Sequence, residues 1–209
     1  MKLRQVYIST LNGRALYYFT KLMKSYRLPY RYLLPGSDLT RSGLYLTTRE
    51  ENREWLGDRI NFEDLSLDET KDILRIASAL MKTRSVEVGI DPGKRIGVAV
   101  VLGGSAVIAR TYSELSELIA FVSKVMSVFD KITVKVGDGN QEVAERILIA
   151  LSDVLRKDDI MMVVSERHTT PKGNATVRKD ALAAVRITRR EGTVYHRGDK
   201  VFSWRSDRS

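Results

Sequence analysis

The chain has 209 residues, of which 43% are hydrophobic and 29% charged, a composition typical of globular proteins. It contains no cysteine, which excludes disulfides, thiol catalysis and cysteine-based zinc sites, and it has only two histidines. No apolar run approaches the ~20 residues of a membrane span, and the first residues lack the apolar core of a signal peptide. We therefore expect a cytoplasmic protein without a cysteine-rich or histidine-rich metal site.

The formal net charge of +9 is unevenly distributed along the chain. Residues 1–49 hold nine Lys or Arg against one acid, and residues 186–209 hold seven against three, whereas residues 50–80 hold four against nine. A basic excess at both ends favours a polyanionic partner, most simply nucleic acid. The alternative is a generally basic protein whose charges are solvated.

Residues 1–84 are predicted to form a small basic α/β domain with an acidic linker and a connecting helix. Its β-type runs lie at residues 6–10, 30–34 and 43–48. Asn12 is placed to cap a helix after the first run, and Ser66 or Asp68 is placed to cap the connecting helix. Tyrosines alternate with cations at Tyr30-Arg31-Tyr32, a pattern that can stack bases and hold phosphates. The alternative is that these tyrosines pack on the sheet with their hydroxyls in water.

Residues 85–192 are predicted to form a second α/β domain, followed by a basic tail over residues 193–209. The predicted strands span residues 86–91, 96–102, 106–109, 132–136 and 160–164. The first three strands are joined by short turns and form an antiparallel meander. The last two follow helices and run parallel to the first, because crossovers through helices connect parallel strands. Ser113 is placed to cap the first of these helices, and the last helix runs from Arg178 to about Arg190.

Acidic residues follow the carboxyl ends of the strands that this topology makes neighbours. Asp91 ends the first strand, Asp138 follows the fourth and Glu166 follows the fifth. Open α/β sheets place their ligands at this edge. Asp180 lies on the last helix, where small residues such as Ala184 allow a close approach to the sheet. The sequence therefore predicts a cluster of carboxylates, although each acid taken singly is also an ordinary turn or surface residue.

Converging carboxylates repel one another unless a cation neutralises them. Oxygen ligands without His or Cys suit Mg²⁺ or Mn²⁺. Two such ions roughly 4 Å apart activate a water and stabilise the leaving oxygen in phosphodiester hydrolysis. Lys94, Arg95, Arg167, Arg178 and Lys179 lie near the acids in sequence and are candidates for binding phosphates.

Three motifs in this second domain resemble those of known nucleases. Gly89-Ile90-Asp91-Pro92-Gly93 resembles the first-strand motif of RuvC-type Holliday-junction resolvases, and Asp180-Ala181-Leu182-Ala183-Ala184 resembles the helix that carries their last acid. Residues 165–170 are similar to a motif of the YqgF family. That family belongs to the same ribonuclease H-like superfamily, and the resemblance makes a nuclease that processes pre-ribosomal RNA an alternative. The resemblance covers about residues 86–192 and implies a ribonuclease H-like fold and metal-dependent cleavage of structured nucleic acid. It also implies that Asp91 bridges the metals and that Asp180 closes the site.

The chain departs from both families at the middle of the acidic set. RuvC has a glutamate where this chain has Gly137-Asp138-Gly139, and Ser165 stands where YqgF has an acid. The choice between Asp138 and Glu166 as the second ligand therefore stays open. RuvC-like enzymes act as dimers, so a homodimer is a further expectation.

Two other functions remain in competition with a nuclease. One is a non-catalytic nucleic-acid-binding protein that keeps the fold. The other, a minor one, is a kinase-like or ATPase-like protein that binds phosphate and Mg²⁺ at the first-strand turn, although such proteins pair two domains and need a longer chain. A P-loop is excluded because the glycine spacing is one residue short and no Ser or Thr follows the lysine.

Overall fold

The computed structural model describes residues 4–37, 43–52, 57–166, 177–196 and 198–199, with the side chains at 52 and 177–180 excepted. Backbone contacts divide the chain into two compact units, the first ending at Thr83 and the second starting at Arg84. Within these described ranges, no helix is long and apolar enough to cross a membrane.

The part of the first unit that the structure describes is a four-stranded sheet with two α-helices. Its elements are β1 (Gln5–Ile8), α1 (Gly13–Ser25), β2 (Tyr30–Tyr32), β3 (Gly43–Thr47), β4 (Arg59–Asn61) and α2 (Glu69–Met81), with short 3-10 turns at Glu50–Asn52 and Phe62–Asp64. The strand order is β2-β1-β3-β4, and all neighbours are parallel. The sequence did not predict β4, because a three-residue strand with one apolar residue is too short to show alternation.

Caps and apolar spacing explain the two helices of this unit. The Asn12 side chain accepts hydrogen bonds from two amides of the first turn of α1, and the Asp68 side chain does the same for α2. Phe19, Leu22 and Met23 recur at helical spacing and are fully buried. Both caps were predicted from the sequence, Asp68 as one of two alternatives.

In its described residues, the second unit is a six-stranded mixed sheet with three α-helices. Its elements are β5 (Val86–Asp91), β6 (Ile96–Leu102), β7 (Ser105–Tyr112), α3 (Leu115–Met126), β8 (Ile132–Gly137), α4 (Gln141–Ser152), β9 (Ile160–Val164), α5 (Val177–Thr188) and β10 (Thr193–Val194). The strand order is β10-β9-β8-β5-β6-β7. β5, β6 and β7 pair antiparallel, whereas β5, β8 and β9 pair parallel. The α/β class and the arrangement of an antiparallel meander plus two parallel strands, both predicted from the sequence, are confirmed.

The structure differs from the sequence predictions at two helix ends and in the tail. The N-cap of α3 is Glu114 rather than Ser113, and the Glu117 carboxylate accepts a hydrogen bond from the Glu114 amide at 3.3 Å. The last helix ends at Thr188. Thr193–Val194 pairs antiparallel with β9 instead of beginning a loose tail. Gly192 permits this pairing, because a Cβ there would lie 2.7 Å from the Val163 carbonyl oxygen.

Candidate functional site

Three of the predicted acids follow the carboxyl ends of three neighbouring parallel strands. Asp91 is the last residue of β5, Asp138 comes directly after β8, and Glu166 lies two residues after β9. The strand ends are level, since Ile90 pairs with Val136 and Gly137 pairs with Val164. The topology thus brings these three acids to one edge of the sheet, as the sequence predicted.

Asp138 and Glu166 connect the loops that follow β8 and β9. The Glu166 amide donates a hydrogen bond to Asp138 Oδ1 at 2.7 Å, and the Gly139 amide donates one to Glu166 Oε1 at 3.0 Å. The Asp138 amide donates to the Val164 carbonyl oxygen at 3.0 Å. Each carboxylate therefore accepts a bond from the loop that carries the other, and both have a structural role at the edge.

Two glycines leave the space that the Glu166 side chain occupies. A Cβ at position 137 would lie 2.1 Å from Glu166 Oε1, and a Cβ at position 139 would lie 2.8 Å from the same atom. Real Cβ contacts are essentially never this short. The sequence departs from the resolvase pattern at Gly137-Asp138-Gly139, and in this fold those glycines make room for a carboxylate from the next strand.

The environment of Glu166 disfavours its charged form. Burial raises the pKa of Glu166, and the nearby negative charge of Asp138 raises it further, against the opposing effects of the Gly139 amide and Arg190. Arg190 follows α5 and donates a hydrogen bond from Nη1 to the Ser165 carbonyl oxygen at 2.8 Å. The sequence does not predict this role for Arg190, because nothing in its Arg-Arg-Glu context indicates that the end of α5 lies beside the loop after β9.

Asp91 opens the tight turn between β5 and β6. It pairs with Gly97 across the antiparallel ladder, and Pro92, which follows it, is buried. Lys94 and Arg95 are both exposed at the tip of this turn. Two of the predicted phosphate-binding cations are therefore within a few residues of Asp91 and open to solvent.

Helix α5 packs directly on the central strand β5 of the sheet. A Cβ at Gly89 would lie 2.2 Å from the Ala184 carbonyl oxygen and 2.6 Å from Thr188 Cγ2, so only glycine fits there. Ala184 is fully buried, as the run of small residues predicted. Lys135 fixes the end of the helix, because its Nζ donates to the Thr188 carbonyl oxygen at 2.6 Å. Asp180 lies in α5 one turn before Ala184.

Part of the predicted site lies outside the described residues. Arg167 is outside them, and of Arg178, Lys179 and Asp180 only the helical backbone is described. Among the side chains that are described, no group of three or more His, Asp or Glu lies close enough to hold a metal ion. The metal-ligand assignments and the phosphate-binding assignments stay predictions.

No protein-family model matches the sequence, and no curated protein matches it. Among solved structures, the MID-PIWI domains of the N. crassa Argonaute QDE-2 match with a TM-score of 0.30 and 8% identity, over 89% of this chain and 80% of that one. The Aquifex aeolicus Argonaute matches with a TM-score of 0.25 and 11% identity, over 79% of this chain and 36% of that one. At such TM-scores neither likeness establishes a fold or an activity for this chain.

Proposed function

We propose that the second unit is a metal-dependent endonuclease that acts on structured nucleic acid, in the manner of a Holliday-junction resolvase. The observation that carries the proposal is the convergence of Asp91, Asp138 and Glu166 from three neighbouring strands on one sheet edge. Three neighbouring strand ends supply these acids to the edge at which open α/β sheets bind their ligands. Asp180, on the helix that packs on β5, is the fourth member of the proposed set.

The donor set suits a hard divalent cation. It consists of carboxylate oxygens alone, as Mg²⁺ and Mn²⁺ prefer. In this proposal Asp91, Asp180 and one or both of Asp138 and Glu166 hold the metal, which supplies activation of an attacking water and stabilisation of charge on the leaving oxygen.

The charge of the chain supports a nucleic-acid substrate. Lys94 and Arg95 are exposed beside Asp91 and are proposed to bind phosphates that flank the cleaved bond. The net charge of +9 favours association with any polyanion. A homodimer remains an expectation for a substrate with two-fold symmetry.

Two observations favour the competing function, a non-catalytic nucleic-acid-binding protein. Asp138 and Glu166 each accept a backbone hydrogen bond that links the two loops, which is sufficient reason for their presence without a metal. The described side chains also contain no compact group of three acids. The experiment must therefore separate binding from cleavage.

A cleavage assay with four-way junctions, flaps and structured RNA tests the proposal. The full chain is expected to cut at least one of these substrates with Mg²⁺ or Mn²⁺ and none with EDTA. Asp91→Asn is expected to abolish cutting while binding, measured by fluorescence anisotropy, persists. Asp130→Asn, the same change at an exposed aspartate of the same unit, is the matched control and should leave both unchanged. Salt-dependent binding without cleavage of any substrate would overturn the nuclease proposal and support the binding protein.

A further inference from the structure

The first unit has a long segment that contains basic residues and no acidic ones. Residues 4–37 contain six Lys or Arg and no Asp or Glu. Arg4 pairs with Asp58 and Lys21 pairs with Glu69, in both cases at 2.6 Å. Within the described part of the chain, Lys24 and Arg31 are exposed and form no ion pair. This region of the first unit therefore has an excess of positive charge.

Exposed aromatic rings lie among these cations. Tyr30 and Tyr32 lie on one side of β2, two residues apart, with ring centroids 5.4 Å apart and ring planes at 85°. The Tyr32 side chain is 59% exposed, and Tyr17 on α1 is 70% exposed. Tyr30 is half-buried, so Tyr32 and Tyr17 supply the exposed aromatic faces beside the cations.

Contacts with α1 hold the exposed ring of Tyr32 in place. Its hydroxyl forms a hydrogen bond of 3.0 Å with the Thr20 hydroxyl. Hydrogen bonds with Thr20 and Tyr30 lower the pKa of Tyr32, and the positive charge of Lys24 lowers it further. Tyr17, Thr20 and Lys24 are spaced three and four residues apart on α1 and share one side of the helix. The rings and the cation thus form one surface, the Tyr32 surface, made of Tyr17, Thr20, Lys24, Tyr30 and Tyr32.

We propose that the Tyr32 surface binds single-stranded nucleic acid, with bases stacked on Tyr32 and Tyr17 and a phosphate held by Lys24. Exposed aromatic faces combined with positive charge are the features that single strands require, because every base has a stacking face and every phosphate a charge. An ordered ring also loses little conformational entropy on stacking. The absence of acids from residues 4–37 argues against a basic protein partner and favours a polyanion. This inference goes beyond the nuclease proposal and does not depend on it.

Binding of a short fluorescein-labelled oligouridine to the full chain, measured by anisotropy at several salt concentrations, tests the inference. Tyr32→Leu, which removes the stacking face but keeps an apolar side chain, is expected to weaken binding about tenfold. Tyr32→Phe keeps the ring and is expected to retain most of the affinity. Tyr17→Leu tests the same surface from α1, so that a folding defect in one variant does not decide the result.

The cation is tested by the salt dependence of the same binding. Lys24→Gln is expected to reduce the slope of log affinity against log salt by about 0.7, the contribution of one phosphate contact to a single strand. Lys157→Gln, the same change at an exposed lysine of the other unit, is the matched control and should leave the slope unchanged.

Two results would overturn the inference. Wild-type oligouridine affinity in both Tyr32→Leu and Tyr17→Leu would show that the rings stack no base. Equal slopes for Lys24→Gln and Lys157→Gln would show that Lys24 contacts no phosphate. Because these assays measure binding to a single strand without cleavage, their failure is distinguishable from failure of the nuclease proposal.

Discussion

The substitution Gly89→Ala tests how α5 is positioned over the sheet. The added Cβ would lie 2.2 Å from the Ala184 carbonyl oxygen, and restoring an ordinary contact of 3.4 Å requires a displacement of about 1.2 Å. The obstructing atom belongs to the helix backbone, and the central strand β5 is hydrogen-bonded on both sides. Neither partner can yield by a rotamer change, so the helix must move as a body.

Two effects set the change in the free energy of unfolding of Gly89→Ala. Overpacking lowers it, and the reduced freedom of the unfolded chain when glycine is replaced partly offsets that loss. Overpacking a well-filled core costs about 3 kcal/mol at the upper end of its usual range, which applies because a backbone atom is in the way. Reduced freedom of the unfolded chain returns about 1 kcal/mol at most. We therefore expect a loss of about 2 kcal/mol in the free energy of unfolding. With a typical slope of unfolding free energy against urea concentration, about 2 kcal/mol per M, this loss lowers the urea concentration at the midpoint of unfolding by about 1 M.

Urea unfolding followed by circular dichroism measures this loss, and amide hydrogen exchange in α5 localises it. Gly13→Ala is the control, because nothing lies within 4 Å of a Cβ there, and it should be neutral or slightly stabilising. If Asp180 belongs to the site, a displacement of about 1 Å should also slow cleavage by about 100-fold. An unchanged midpoint together with unchanged protection of α5 would refute the packing of α5 on Gly89.

Two further predictions concern the loops at the two ends of β8. Asp159→Asn should cost about 2 kcal/mol of unfolding free energy, because the buried carboxylate accepts hydrogen bonds from the Ile132 amide and from Arg156. Urea unfolding measures this loss. Asp158→Asn, at a neighbouring exposed aspartate, is the control. Burial alone would raise the pKa of Asp159, but hydrogen bonds from Arg156 and the Ile132 amide hold it below its usual range. This contribution is therefore complete above about pH 4 and is lost as the pH falls further, and a wild-type minus Asp159→Asn difference that stays constant down to pH 2 would contradict it. Gly137→Ala should displace the Glu166 side chain rather than the backbone, which should cost about 1 kcal/mol of unfolding free energy and slow cleavage if Glu166 is a metal ligand. If the wild type cleaves and Gly137→Ala cleaves at the same rate, Glu166 lies outside the site.

The order of strands in the second unit could be predicted because its pattern is local and regular. Apolar runs of β5, β6, β8 and β9 are separated by turns or by helices of clear period, and helical crossovers then dictate parallel neighbours. The acidic edge followed from that topology, since each acid is adjacent to the strand end that positions it. Features that depend only on residues close together in the sequence could therefore be predicted from it.

Features that depend on contacts between distant residues could not be predicted. The bond from the Glu166 amide to Asp138 joins residues 28 positions apart, and nothing in either loop indicates it. The Arg190 contact with Ser165 depends on where α5 ends over the sheet. β4 and β10 are too short for a periodic pattern, and they form because a neighbouring strand offers a free edge.

The choice between Asp138 and Glu166 as a metal ligand can be made with isosteric variants, because the two carboxylates are engaged differently. Asp138 Oδ1 accepts the Glu166 amide, and an asparagine at position 138 keeps a carbonyl oxygen there, so Asp138→Asn removes the charge and leaves the loop connection intact. Glu166→Gln likewise keeps an acceptor for the Gly139 amide. Both carboxylates accept a backbone amide, but Glu166 is in addition buried beside the negative charge of Asp138. These two effects disfavour the charged form of Glu166, and a cation would relieve them. We therefore expect Glu166→Gln to weaken Mn²⁺ binding, measured by calorimetry, more than Asp138→Asn does. The reverse order would make Asp138 the ligand and Glu166 a purely structural partner.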